Sequence, residues 1–169
     1  TLGTAFVLRH ANRIPSSQNQ IRLNFKSGVI PVNLEADGKI YMEQSSGEIL
    51  NTISNIEDVV KALGLTGNNI EPSLPVQIAS TGFPALLVPI NSLRSIQRIV
   101  LNYSLLKALL EEFNIDMIYP FTRQTCEDKN SIHARGFAPF IGINEDPATG
   151  SVAGALGYYL HKKNTEERK

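Results

Sequence analysis

The chain has 169 residues, 42% of them hydrophobic and 19% charged. That is enough apolar content for one ordinary domain or two small ones, and it excludes wholesale disorder. Sixteen Lys and Arg balance sixteen Asp and Glu, so charge gives no reason to expect nucleic acid or an anionic membrane as partner, and no apolar stretch is long enough to span a bilayer. The single cysteine, Cys126, excludes a disulfide framework and, with no secretory signal visible, fits a cytoplasmic location. Residues 1–14 mix small and large apolar side chains and predict a buried helix, followed by a turn at 15–19. Ile21, Leu23 and Phe25 alternate with Arg22 and Asn24, which is strand periodicity. Residues 29–34 form a second strand, Asp37-Gly38 a strong hairpin signal, and 39–44 a third strand, giving a small antiparallel meander.

A polar link is expected at 45–50, then a short amphipathic helix at 55–63. Asn55 would cap it, Glu57 and Asp58 occupy its first turn, and Gly64 follows it. Residues 66–74 carry Gly67, Asn68, Asn69 and Pro72 and read as the linker of the chain. Strands are expected at 75–79 and 85–90 around Ser80-Thr81-Gly82. A helix is expected at 101–113, with Leu105, Leu106, Leu109, Leu110 and Phe113 on its apolar side. After it come a strand at 116–121, a polar loop at 123–130 and a strand-like stretch at 131–143 interrupted by Pro139. A turn and final helix at 146–160 run into a charged tail.

Chemistry concentrates at Glu145-Asp146-Pro147-Ala148-Thr149-Gly150-Ser151, where an acid pair runs into a Pro turn and the turn into a helix start. A helix start offers N–H groups without internal partners and the positive end of the dipole. Gly150 lets a ligand approach the backbone, and Ser151 adds a hydroxyl. Two readings stay open: an anion-binding corner for a carboxylate or enolate, or a plain N-cap supplied by Thr149 or Ser151. Asp146, just ahead of the helix, is stabilised there as the anion, which favours orienting or accepting a proton over donating one. Glu145 reads as a solvated acid, and His133 and Arg135 as an exposed strand face, with Arg135 able to bind a carboxylate. His10, His161 and Cys126 show no metal-ligand spacing, and no cofactor motif is present. Leu2-Gly3-Thr4 echoes Thr149-Gly150-Ser151: in each, Gly and then a hydroxyl residue open a helix of small and apolar residues.

Arg135-Gly136-Phe137-Ala138-Pro139 leading into Glu145-Asp146-Pro147-Ala148-Thr149-Gly150-Ser151 resembles the signature of the PhzF (phenazine biosynthesis-like) family. Thr1-Leu2-Gly3-Thr4-Ala5, Ser80-Thr81-Gly82 and Leu86-Leu87-Val88-Pro89 extend the resemblance through essentially the whole chain. It implies an α+β, diaminopimelate-epimerase-like fold: two pseudo-symmetric domains, each a β-barrel-like sheet around a central helix, with the site in the cleft between them. On that pattern residues 1–73 are the C-terminal part of the first domain and 74–169 the N-terminal part of the second. The fold is then incomplete at both ends and the chain a central portion of a longer protein. The implied activity is cofactor-independent isomerisation by proton transfer on a small carboxylic acid, in a cytoplasmic homodimer. Asp146 carries the family's Asp; Thr149, Gly150 and Ser151 bind substrate; Thr1 and Gly3 line the opposite wall. The family's principal acid/base Glu and a Gly-His-Pro would precede Thr1. No Cys stands at either helix start, which disfavours a two-thiol racemase. The rival expectation is a non-catalytic binding or scaffold protein that keeps the fold without that Glu.

Overall fold

The computed structural model describes residues 2–25 and 28–166. The chain divides into two units, Thr1–Ser45 and Ser46–Lys169. In the first, helix α1 (Leu2–His10) accompanies an antiparallel meander of β1 (Gln20–Phe25), β2 (Gly28–Leu34) and β3 (Ile40–Met42). The alternation in β1 was legible: Ile21, Leu23 and Phe25 are half-buried while Gln20, Arg22 and Asn24 are exposed. Ile21 and Leu23 pack with Ala5, Ile14, Val32 and Leu34. The hairpin falls where Asp37-Gly38 predicts it, because Gly38 takes a φ of 85° that a side chain would resist, while Glu35 and Lys39 pair across the turn. The first helix ends at His10, short of the expected residue 14; Asn12 then takes a left-handed φ of 53° and ends the run.

The second unit is built on a seven-stranded mixed sheet. Its strands are β4 (Glu48–Thr52), β5 (Gln77–Ser80), β6 (Ala85–Pro89), β7 (Ile118–Thr122), β8 (His133–Ala134), β9 (Gly136–Ala138) and β10 (Ile143–Asp146). The order is β10-β9-β7-β6-β5-β4, with β8 also paired to β7; β6 and β7 run parallel and the other pairs antiparallel. Every residue of β5, β6 and β7 is buried, as a sheet covered on both faces requires. Their period of two sorts the core. Ile78, Leu86, Val88 and Ile118 meet Val59, Leu106, Leu109 and Leu110 of α2 (Glu57–Ala62) and α4 (Tyr103–Glu112). Ala79, Leu87, Tyr119 and Phe121 meet Val152, Ala155, Leu156 and Tyr159 of α5 (Gly150–Glu166). Tyr159 seats α5: its ring packs edge-on to Phe121 at 5.8 Å, and its hydroxyl donates to the Pro75 carbonyl at 2.8 Å.

Several expectations change. The second half of the polar link at 45–50 is the start of strand β4, and the segment expected as a linker is ordered: Thr66 and Asn69 form a capping box, Ile70 bridges to Ile90, and Leu74 is buried. A short helix, α3 (Leu93–Gln97), appears where none was expected, capped by the Ser92 side chain. Asn55 does serve α2, through Oδ1 accepting the Glu57 N–H at 3.1 Å. Most of the charged tail continues α5 as far as Glu166. Among the described residues no helix is long and apolar enough to cross a membrane.

Candidate active site

Asp146 ends β10, and two residues of turn separate it from Thr149, the residue before α5. A β-bulge sets its place. Ile143 pairs with Ala138 and Asp146 with Gly136, so two steps along β9 match three along β10. The half-buried Asp146 side chain turns back on its own loop, where Oδ1 accepts the Ala148 N–H at 3.3 Å. Across the sheet on β7, Tyr119 is 7% exposed; burial first, and then the negative charge of Asp146, raise its phenol above the ordinary range.

Thr149 is not the cap that one reading of the sequence expected. Its residue is 9% exposed and its hydroxyl oxygen is buried with no hydrogen-bond partner. It faces the space where Gly136 lacks a side chain: a Cβ on Gly136 would lie 2.6 Å from Thr149 Oγ1 and 3.3 Å from the Tyr119 ring. The Ser151 and Val152 N–H groups therefore find no acceptor in the Thr149 hydroxyl. The Gly150 N–H donates to the Ala148 carbonyl at 2.9 Å, which leaves the next N–H groups of the helix as those better placed for an anion. Gly150 and Ser151 are exposed. The Thr81 hydroxyl donates to the Ser151 carbonyl at 3.2 Å and ties the Ser80-Thr81-Gly82 turn to the same helix start. A buried hydroxyl without a partner costs about 1–3 kcal/mol. Thr149→Val, which replaces the oxygen with a methyl of similar size, is expected to raise the urea midpoint of unfolding.

Arg135 and Glu145, read separately in the sequence as an exposed strand face and a solvated acid, pair with each other; Glu145 is exposed and Arg135 half-buried. Arg135 Nε and Nη2 donate to Glu145 Oε1 and Oε2 at 2.7 and 2.8 Å, and Nη1 donates to the Ile96 carbonyl at 3.1 Å. The guanidinium lies 4.8 Å above the Phe137 ring. The hydrogen bonds from Arg135 hold the Glu145 carboxyl below its ordinary value of 4.5. A lowered folded value means that the pair's stabilisation is complete above 4.5 and is lost as pH falls through the lowered value. Glu145→Gln is therefore expected to lower the urea midpoint at pH 7 and to leave it unchanged in strong acid. The difference should shrink in high salt, because the Glu145 side chain is 43% exposed.

Of the other expected site residues, Gly3 is exposed in the first turn of α1, and Thr1 lies outside the described residues. His10 stacks on Phe6 at 4.6 Å, and Cys126 is exposed. Among the described residues no cluster of His, Cys, Asp and Glu could hold a metal ion. A cavity of about 330 Å³ in the second unit is lined by Lys107, Glu111, Asn114, Asp116 and Phe140 and does not include Asp146. The corner itself is open.

A mixed sheet packed on a long helix, with an acid turn leading into that helix, makes the second unit an α+β domain. The family model for phenazine biosynthesis-like protein (PhzC-PhzF) matches residues 1–169, and the chain belongs to that family. It is 32% identical over 149 residues to the uncharacterised isomerase YfhB of Bacillus subtilis, covering 85% of this chain and 51% of the relative. It superposes on the PhzF-family phenazine biosynthesis protein of Bacillus anthracis with a TM-score of 0.83 at 27% identity, covering 94% of this chain and 54% of the other. A predicted epimerase of Pseudomonas aeruginosa shares the fold, with a TM-score of 0.72 at 24% identity over 96% of this chain and 56% of the other. The chain spans about half the length of the relatives it matches.

Proposed function

We propose that the full-length protein is a PhzF-like, cofactor-independent isomerase that moves a proton on a small carboxylic acid, and that this chain carries the Asp146 corner of its site. The observation that carries the reading is the pairing of a half-buried carboxylate at the end of β10 with an exposed helix start that the adjacent Thr149 hydroxyl leaves uncapped. In this reading Asp146 orients or relays the proton. The first-turn N–H groups from Ser151 onward, with the Ser151 hydroxyl, hold the substrate carboxylate or the developing enolate. Gly150 leaves room for the substrate, and Thr149 is proposed as a substrate-binding residue on the family resemblance, its hydroxyl being turned inward toward Gly136. Thr1 and Gly3 are proposed as substrate-binding residues on the parallel pattern of Gly and a hydroxyl residue at a helix start. The family's Glu, supplied by the rest of the protein, would move the proton at carbon. A cytoplasmic homodimer is proposed on the resemblance alone.

The test is proton exchange. The full-length protein is incubated in deuterated solvent with a panel of small unsaturated and hydroxylated carboxylic acids, and deuterium incorporation at carbon is followed by mass and proton NMR. Enzyme-dependent incorporation into any member supports the isomerase. A full-length protein that binds members of the panel and exchanges none would favour a binding or scaffold role.

A further inference from the structure

We infer that Arg135 and Glu145 form a clamp that fixes the bulge in β10, and that both act as positioning residues for Asp146; the inference rests on the role proposed for Asp146 above. Along β10 the pairing partner of Ile143 is Ala138, and an unbulged ladder would bring Glu145 opposite Gly136. The extra residue hands that position to Asp146 instead. A one-residue slip would turn every side chain of the strand to the other face. It would offer the helix start a carboxylate one methylene longer and displace the Asp146 turn.

The clamp opposes that slip because Arg135 is anchored from three directions. Its N–H donates to the Pro120 carbonyl on β7 at 3.0 Å, its Nη1 reaches the Ile96 carbonyl on α3, and its plane rests on Phe137 of β9. Nε and Nη2 meet both oxygens of Glu145. A bidentate contact fixes direction as well as distance, so the carboxylate within the bulge has one orientation open to it. Lysine, a single point charge, could keep the attraction but not the orientation. The Arg135 side chain is 23% exposed, and three of its N–H groups are held between Ile96 and Glu145, which separates it from a solvated surface pair.

The test compares full-length wild type with Arg135→Gln, Arg135→Lys and the milder Glu145→Gln, which keeps the volume and one acceptor. NMR contacts report which residue of β10 faces Gly136, and amide hydrogen exchange reports opening of β10 relative to β6 and β7. Both Gln variants are expected to weaken the Gly136–Asp146 contact and to speed exchange at Glu145 and Asp146 about tenfold, with β6 and β7 unchanged. In the deuterium-incorporation assay kcat should fall about tenfold or more at unchanged KM, with Arg135→Lys recovering only part of the loss. Gln variants that lower the melting temperature yet keep the Gly136–Asp146 contact and wild-type β10 exchange would overturn the clamp. A shifted register with unchanged kcat would overturn the positioning role. If wild type exchanges no proton, the isomerase reading fails on its own, and the register measurement still decides the clamp.

Discussion

Replacing Asp146 with Asn in the full-length protein is expected to cut turnover by about 10²–10⁴-fold, the range for losing a positioned acid/base group. Folding stability should change by less than about 1 kcal/mol. The two effects separate because of what the side chain does. Its structural contact is Oδ1 accepting the Ala148 N–H, and Asn keeps an oxygen of the same reach. The pairing of β10 with β9 is made by backbone and the clamp on its bulge uses Glu145, so the bulge does not depend on the Asp146 charge. What Asn removes is one negative charge beside a helix start and the capacity to take a proton. Tyr119 supplies an internal control. Its phenol is raised by burial and by the Asp146 charge, so in the variant it should titrate lower than in wild type while staying above the ordinary range through burial. Ultraviolet titration reads this without substrate. A variant with the shifted Tyr119 titration and wild-type deuterium incorporation would remove Asp146 from the mechanism.

What the sequence made legible follows from where the physical signal is local. Alternation marked β1, and Leu106, Leu109 and Leu110 marked the buried side of α4, because burial on one face writes its period into the chain. β4 escaped because it is an edge strand with four of its five residues exposed, which leaves Glu48 to Thr52 no apolar alternation to show. α3 escaped because five residues are too few for a helical period to show. The acid turn and helix start at Asp146 to Ser151 were legible as a motif. The direction of the Thr149 hydroxyl was not, since a capping oxygen and a buried partnerless one have the same sequence and differ only in packing. Arg135 and Glu145 meet through a 3-10 turn, a left-handed Gly142 and a bulge, and none of the three fixes a contact ten residues apart until the register is known. The groups of the proposed site were thus written in consecutive residues, whereas the pairs that hold them were brought together by the sheet.

The tightest of those pairs predicts a large effect on folding. Gly136→Ala is expected to destabilise the protein by about 1–3 kcal/mol, the usual cost of forcing one extra carbon into a packed core. The backbone is not the reason, since Gly136 does not occupy the left-handed region and Ala is at home in a strand. Space is the reason. The added carbon would sit 2.6 Å from Thr149 Oγ1 and within 3.4 Å of two atoms of the Tyr119 ring. Neither neighbour gives way easily: Thr149 is buried where α5 begins, and Tyr119 is packed with Ala138 and Val152 in the sheet–helix core. The strain should therefore pass to the start of α5, and a stability loss should appear together with weaker substrate binding. A double-mutant cycle isolates the contact. Thr149→Ala removes the oxygen that the new methyl would strike, so Gly136→Ala should cost less in that background, with a coupling of about 0.5–3 kcal/mol between the two sites. Urea unfolding of the four proteins measures it. Additive losses would mean that the bare backbone at Gly136 is not what accommodates Thr149, and the buried hydroxyl would then need another explanation.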